Sequence, residues 1–261
     1  MSRVLITGSS DGLGLMTAKL LAEQGHKVTL HARNSRRAQD AGRALPEAEA
    51  VVTGDLSSVH ETREVAEQVN ALGRYDAVIH NAGVGFRERH RVTDEGVAHT
   101  FAVNVLAPYL LTALVDRPAR LVYLSSAMHY GGNPDLSDLG WSRRRWDPAQ
   151  AYSDSKLFDV TLAFAVARRW PDVLSNSLTP GWVATRMGGR GAPDDLSLAP
   201  VTQAWLAVSD DAEARVSGRY FYHQRQEEAH PAAGAPAFQD ELLDRCAALT
   251  GTPLPGDRAG S

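Results

Sequence analysis

Short apolar runs alternate with segments of helical period along this chain, and that alternation limits the folds open to it. Residues 3–7, 27–31, 50–53, 76–80, 120–125, 173–179 and 218–222 read as strands. Residues 13–24, 35–45, 57–72, 96–115, 152–170 and 197–208 read as helices. In the first of these, Leu13, Met16, Leu20 and Leu21 recur at helical spacing and Gly25 is the expected C-cap. Ser57 is the expected N-cap of the third helix, and Pro108 is expected to kink the fourth. Strands separated by helices at these lengths argue a mostly parallel sheet covered on both faces. The expectation is a single doubly wound α/β domain with a seven-stranded sheet over residues 1–225. Residues 226–261 are expected to add a loop at 227–237, a closing helix at 238–249 and a frayed tail from 251.

One segment breaks the alternation. Residues 131–150 are too long for a tight connection and carry Trp141, Trp146 and the run Arg143-Arg144-Arg145. They are expected to cap a ligand pocket together with residues 187–196, where Gly188, Gly189 and Gly191 are hinge candidates. Trp141, Trp146 and Trp182 are candidates for an apolar wall, and equally for core or rim.

Composition excludes several classes. Hydrophobic residues make up 43% of the chain and charged ones 22%, enough to bury a core without a metal or disulfide frame. The net charge of -4 offers no basic excess for nucleic acid or an anionic membrane. Cys246, the single cysteine, cannot form an internal disulfide and suits a reducing compartment. No run approaches the roughly 18 apolar residues of a membrane span. A cytoplasmic protein with no metal site is expected.

Between the first strand and first helix lies Thr7-Gly8-Ser9-Ser10-Asp11-Gly12-Leu13-Gly14. Glycines let the backbone turn sharply and approach a ligand, and a helix N-terminus offers N–H groups to a pyrophosphate. No Gly-Lys-Ser/Thr follows, so this is not a Walker loop. The second strand ends His31-Ala32-Arg33-Asn34, with Arg36 and Arg37 beyond and no acid at its end. An acid there would bind a ribose 2′-hydroxyl, whereas a base accommodates a 2′-phosphate. Arg33 therefore favours NADP, with NAD as the alternative; Asp11 argues slightly the other way, and these arginines can also simply cap a solvated edge. Further on, Tyr152 and Lys156 stand one helical turn apart on one face. A phenol beside an ammonium is a candidate general acid/base, because the positive charge favours phenolate.

Together these features resemble the short-chain dehydrogenase/reductase family. Thr7-Gly8-x-x-x-Gly12-x-Gly14, Asp55-Leu56, Asn81-Ala82-Gly83, Asn104, Ser125-Ser126, Tyr152-x-x-x-Lys156 and Pro180-Gly181 occur in order. Leu124-Ser125-Ser126-Ala127-Met128-His129 and Pro180-Gly181-Trp182-Val183-x-Thr185 look like its retinol dehydrogenase-like branch. Several members of that branch carry an N-terminal membrane anchor, which is not expected here. The resemblance implies a Rossmann-type domain and an NADP(H)-dependent oxidoreductase acting on the carbonyl or alcohol group of a small, fairly apolar molecule. It implies that Gly8, Ser10, Gly12, Leu13 and Gly14 line the pyrophosphate. Asp55 and Leu56 would lie against the adenine, and Asn81, Ala82 and Gly83 beside its ribose. Pro180, Gly181, Val183 and Thr185 would border the nicotinamide. Asn104, Ser126, Tyr152 and Lys156 would form the catalytic set. In it Asn104 holds a water, Ser126 binds the carbonyl, Tyr152 is the acid/base, and Lys156 bonds the nicotinamide ribose and favours tyrosinate. Ser125 is the weaker candidate for the catalytic serine.

A homo-oligomer is expected through the helices at 96–115 and 152–170. The alternative from another class is a non-catalytic NADP-binding sensor. A serine hydrolase lacks support, since no Gly-x-Ser-x-Gly surrounds either serine, and His129 reads as a loop residue.

Overall fold

A computed structural model describes residues 1–256. Its centre is one sheet in the order β3-β2-β1-β4-β5-β6-β7-β8. The strands are β1 (Arg3–Ile6), β2 (Lys27–Ala32), β3 (Ala50–Thr53), β4 (Ala77–His80), β5 (Arg120–Leu124), β6 (Leu174–Thr179), β7 (Tyr220–Tyr222) and β8 (Arg225–Glu227). The first seven pair in parallel. The helices are α1 (Gly12–Glu23), α2 (Ser35–Ala44), α3 (Val59–Ala71), α4 (His99–Phe101), α5 (Ala107–Leu114), α6 (Pro148–Arg169), α7 (Val201–Val208) and α8 (Pro236–Thr250).

Strand side chains alternate between faces, so each central strand feeds two cores. Val4, Ile6, Ala77 and Ile79 belong to the core under α1, α2 and α7. Leu5 and Val78 belong to the core under α3, α5 and α6. Because both faces are covered, central strands such as β1 and β4 read as nearly continuous apolar runs. The order reverses between β1 and β4, which opens a crevice at their carboxyl ends.

The sheet has eight strands, not seven. β8 pairs antiparallel with β7 through a turn in which His223 (φ 46) and Gln224 (φ 61) both take the left-handed region. Such turns usually announce themselves with Asn-Gly or Asp-Gly, and this one carries neither. The helix expected at 96–115 is α4, a π-helical turn over Ala102–Leu106, and then α5 with Pro108 in its first turn. The proline has no N–H to give, so the distortion falls just before it. The third helix is capped by Ser58 rather than Ser57, because Ser57 donates to Asp55 instead. α6 begins at Pro148, where the Asp147 carboxylate accepts from Ala149 and Gln150. Asp-Pro is an N-cap followed by a preset φ.

The tail is also different from the expectation. α8 lies across α6, with Phe238 against Phe158 and Leu242 fully buried. Tyr109 donates to Thr252 O at 2.8 Å and Trp170 Nε1 to Pro255 O at 2.8 Å. Residues 251–256 are therefore tied down; the rest of the expected frayed tail, 257–261, lies outside the described residues. α8 thus packs on α6 and, to a lesser extent, on α5. Among the described residues no helix is long and apolar enough to cross a membrane.

Burial of Leu242 makes the dependence on α8 measurable. Leu242→Ala is expected to lower unfolding free energy by about 2–5 kcal/mol. A urea titration would show this as a lower midpoint at unchanged slope.

Candidate active site

The loops after β1 and β4 form a single unit. Thr7 Oγ1 accepts from the Asn81 and Ala82 amides, both at 3.0 Å, and Asn81 Nδ2 donates to Thr7 O and Gly8 O. A Cβ on Gly14 would lie 2.5 Å from Asn81 Nδ2 and 2.7 Å from Gly8 O. Gly8 adopts φ +62, and a Cβ there would stand 2.7 Å from Ala82 Cα. Gly12, at φ +56, opens onto free space at the start of α1. Backbone amides at the head of a twelve-residue helix, approached by glycines, fit a pyrophosphate. That is the group a dinucleotide would place here.

His31 supports this loop from below. Its Nδ1 accepts from the Gly8 amide at 3.0 Å, and its Nε2–H donates to Gly54 O at 3.0 Å. Burial pushes its pKa down to about 4. Arg33 lies in a groove of about 560 Å³ with Asn34, Thr53 and Gly54, bordered by Glu61, Glu64 and Glu67. Arg37 reaches back over the loop, donating to Ser10 Oγ at 3.1 Å and pairing with Asp11 at 2.6 Å. Arg186 also pairs with Asp11, at 3.1 Å. Asp11 is thus engaged by two arginines. Asp55 Oδ1 accepts from Ser57, and the Leu56 side chain is in the core.

The four residues of the expected catalytic set converge from β5, α6 and the π-helical turn. Ser126 follows β5 and caps a short 3-10 turn (Ala127–Gly131), accepting from Met128 N at 3.2 Å. Ser125 is buried and donates to Lys156 O at 2.7 Å, which leaves Ser126 as the more open hydroxyl. Tyr152 lies in the first turns of α6. Lys156 is buried one turn later, its ammonium 5.7 Å from the Tyr152 ring centroid. That ammonium donates to Leu124 O and Asp159 Oδ2, both at 2.7 Å. Asn104 accepts from Val84 N at 2.8 Å and donates to Val84 O and Ser155 Oγ. Gly83 sits between Asn104 and Lys156, since a Cβ there would be 3.3 Å from Asn104 Oδ1 and 3.7 Å from Lys156 Nζ.

Ser126 and Tyr152 both line a cavity of about 700 Å³ whose walls are mainly apolar, among them Phe86, Met128, Tyr130, Trp182 and Tyr220. Leu13, Pro180, Gly181, Val183 and Thr185 complete it on the side of the glycine loop. Gly181 needs its left-handed φ of +87, and a Cβ there would strike Asp194, whose carboxylate accepts from Trp182 N. Met187 also lines the cavity, with its Sδ 3.7 Å from the Tyr152 hydroxyl.

Residues 131–150 do not line this cavity. They are pinned elsewhere. Asn133 N and Gln150 Nε2 donate to Asp154, Arg144 stacks 3.6 Å over Trp141, and Trp146 Nε1 donates to Glu88 O. Trp141 and Trp146 belong to a small satellite core, and only Trp182 of the three serves as cavity wall.

Two residues near the site escaped sequence reasoning. His129 is fully buried, with Nδ1–H donating to Ser126 O at 2.8 Å and Nε2 accepting from His230 N at 3.1 Å. It ties the serine turn to the C-terminal segment. Asp159, on α6, holds Lys156. Neither is recognisable from spacing alone.

Comparison with known proteins shows the family of this fold. Residues 2–126 match the short chain dehydrogenase family. An uncharacterized oxidoreductase of Emericella nidulans is 46% identical over 98% of this chain and 100% of its own length. Human retinol dehydrogenase 13 is 30% identical over 98% of this chain and 86% of its own. A crystal structure of an uncharacterized Mycobacterium paratuberculosis protein superposes with TM-score 0.85 at 26% identity, covering 98% and 95% of the two chains.

His31 gives the glycine loop a pH dependence. Unfolded, it protonates near 6.5; folded, only near 4. The unfolded state then binds more protons over that interval, so stability is full above pH 6.5 and falls as pH drops to 4. The loss from this residue is about 3 kcal/mol at 1.36 kcal/mol per unit. Denaturant midpoints measured across pH 4–7 are expected to fall with this sign, and less steeply in His31→Asn.

Proposed function

Because the chain belongs to the short-chain dehydrogenase family, and is thereby an oxidoreductase, we propose that it transfers hydride between NADP(H) and a carbonyl or alcohol group of a small, fairly apolar substrate. The observation that carries this reading is the shared cavity. The hydroxyl-bearing Ser126 and Tyr152 line the same apolar space, and a buried ammonium stands behind the phenol. The nicotinamide supplies or accepts the hydride when bound.

This chain's residues do the rest. Ser126 donates a hydrogen bond to the substrate oxygen, which polarises the carbonyl. Tyr152 gives that oxygen a proton as the carbon is reduced, and takes one back when an alcohol is oxidised. Lys156 has two of its N–H groups engaged by Leu124 O and Asp159, and its third would bond the cofactor ribose. Asn104 fixes the loop at Val84 and the Lys156 helix through Ser155, and a proton-relay water would sit beside them. Gly8, Ser10, Gly12, Leu13 and Gly14 cradle the pyrophosphate, Asp55 and Leu56 border the adenine, and Asn81, Ala82 and Gly83 its ribose. Pro180, Gly181, Val183 and Thr185 border the nicotinamide.

The preference for NADP rests on Arg33 together with Arg37. Both stand beyond β2, and no acid ends that strand. The glutamates beside Arg33 oppose an anion there, and Arg37, which pairs with Asp11, stands over Ser10 as a second guanidinium near the loop. Met187 must leave the Tyr152 hydroxyl before a substrate oxygen can reach it. Residues 187–196 are therefore the lid, and residues 131–150 are not.

Tyr152→Phe removes only the hydroxyl and is expected to cut turnover about 10²–10⁴-fold, with NADPH affinity retained. Steady-state kinetics and fluorescence titration test this together; near-normal turnover in a folded variant would overturn the mechanism. Arg33→Ala is expected to weaken NADPH by roughly 10- to 100-fold, the scale of a charge-assisted bond, while NADH changes little. Equal NADPH and NADH affinities in the parent protein would remove the basis for the NADP preference. Hydrogen exchange at 187–196 is expected to slow on binding cofactor and substrate together.

A further inference from the structure

Asp159 is a buried carboxylate with no place in the proton transfer described above. It sits three residues after Lys156 on α6, one turn further from Tyr152. The side chains of Lys156 and Asp159 are 6% and 3% exposed, and Nζ meets Oδ2 at 2.7 Å. The ammonium is thus clamped between a carboxylate on its own helix and the Leu124 carbonyl at the end of β5. A buried ammonium has three donors, and two are fixed by this clamp. The clamp therefore decides where the remaining donor points.

We propose that Asp159 is a positioning residue of this site: it sets the direction of the Lys156 ammonium and, by its own charge, tempers the field that ammonium exerts on Tyr152. The proposal rests on the reading of Tyr152 and Lys156 given under the function, and extends it to a residue outside the expected set. A carboxylate beside the ammonium halves no distance and touches no substrate. It changes the net charge behind the phenol from +1 toward zero, and low local dielectric makes that change felt.

Burial opposes both charges of the pair. For Lys156 burial is the largest influence, but Asp159 and Tyr152 together more than offset it and its pKa rises; for Asp159 burial prevails over the ammonium and its pKa also rises. The ammonium is already protonated at neutral pH, so the carboxylate is the member whose charge is lost as pH falls further. Other titratable groups lie around the pair. Tyr123 of β5 is close enough to feel the Asp159 charge, and burial pushes its phenol upward. Behind it His80 of β4 stacks on Tyr123 and is pushed down to about 3. On the cavity side Tyr220 of β7 faces Tyr152 and is pushed upward by burial. His129 of the 3-10 turn is pushed downward by burial. All four shifts carry these groups away from neutral pH, whereas burial brings the Asp159 carboxylate up to about 7.

The test needs no known substrate. Tyrosinate absorbance is titrated in the parent protein and in Asp159→Asn, each against the same protein carrying Tyr152→Phe, so that the difference reports Tyr152. Asp159→Asn keeps an acceptor for the ammonium and removes the charge. The Tyr152 midpoint is expected to move to lower pH by on the order of one unit. Asp159→Glu keeps the charge and is expected to leave the midpoint near the parent value. NADPH dissociation constants by fluorescence give the second readout: Asp159→Leu removes the acceptor and is expected to weaken NADPH about tenfold, Asp159→Asn much less. Circular dichroism melts confirm that each variant is folded; if Asp159→Leu is not, the Asn and Glu titrations decide alone. Superimposable tyrosinate titrations for Asp159→Asn and the parent would overturn the proposal and leave Asp159 a structural ion pair. Turnover in Tyr152→Phe bears on the reaction alone, so the two ideas fail by separate measurements.

Discussion

Thr7 and Asn81 join the chain to itself at the point where the sheet reverses its order. The loops after β1 and β4 leave adjacent strands for opposite faces, and without a tie the crevice between them would have no fixed width. One hydroxyl receiving two amides, and one amide side chain reaching two carbonyls, supply the tie. The same contact explains why Gly8 and Gly14 cannot carry side chains: any Cβ would occupy the space these bonds need. His31 then acts as a strut. It is held neutral by burial, so its Nδ1 keeps a lone pair for the Gly8 amide. Everything on the nucleotide side of the molecule is referenced to this small set of bonds.

The catalytic side depends on a different constraint, the placement of a charge where water does not reach. Lys156 is nearly inaccessible, and an unpaired ammonium there would be strongly destabilising. Its acceptors come from β5 and from α6, so solvating the charge also sets the spacing between strand and helix. Ser125 adds a bond from the strand end back to Lys156 O. Both neighbouring serines border the cavity, but the Ser125 hydroxyl donates to the helix, whereas Ser126 Oγ accepts from Met128 N in its own turn.

Much of this could be read from the chain before any coordinates. The parallel sheet followed from apolar runs separated by helical ones, and the glycine loop and the Tyr152–Lys156 spacing located the two halves of the site. What could not be read was whatever depended on partners far apart in sequence. His129 looks like a loop residue because its meaning comes from His230, a hundred positions away. Residues 131–150 looked like a lid because length was the only evidence; their anchors, Asp154 and Glu88, lie outside the segment. β8 was missed because two residues without the usual turn chemistry take left-handed φ. The Asp147-Pro148 start of α6 is different in kind, since its capping chemistry stood in the sequence and went unread.

The cavity and the buried pair constrain each other. The cavity wall is mainly apolar, and the Lys156 ammonium behind it is buried. An unpaired charge there is expensive, and Asp159 is placed to be its counter-charge. Met187 covers the Tyr152 hydroxyl at small energetic consequence. A thioether is a weak acceptor, and at 3.7 Å from the Tyr152 hydroxyl it gives little that a carbonyl oxygen would not exceed. Its flexible, unbranched side chain can leave without disturbing the core. Gly85 leaves the room for it, because a Cβ there would stand 2.6 Å from Met187 Cγ. A contact over the Tyr152 hydroxyl and the means to displace it easily are therefore both built from the same few atoms.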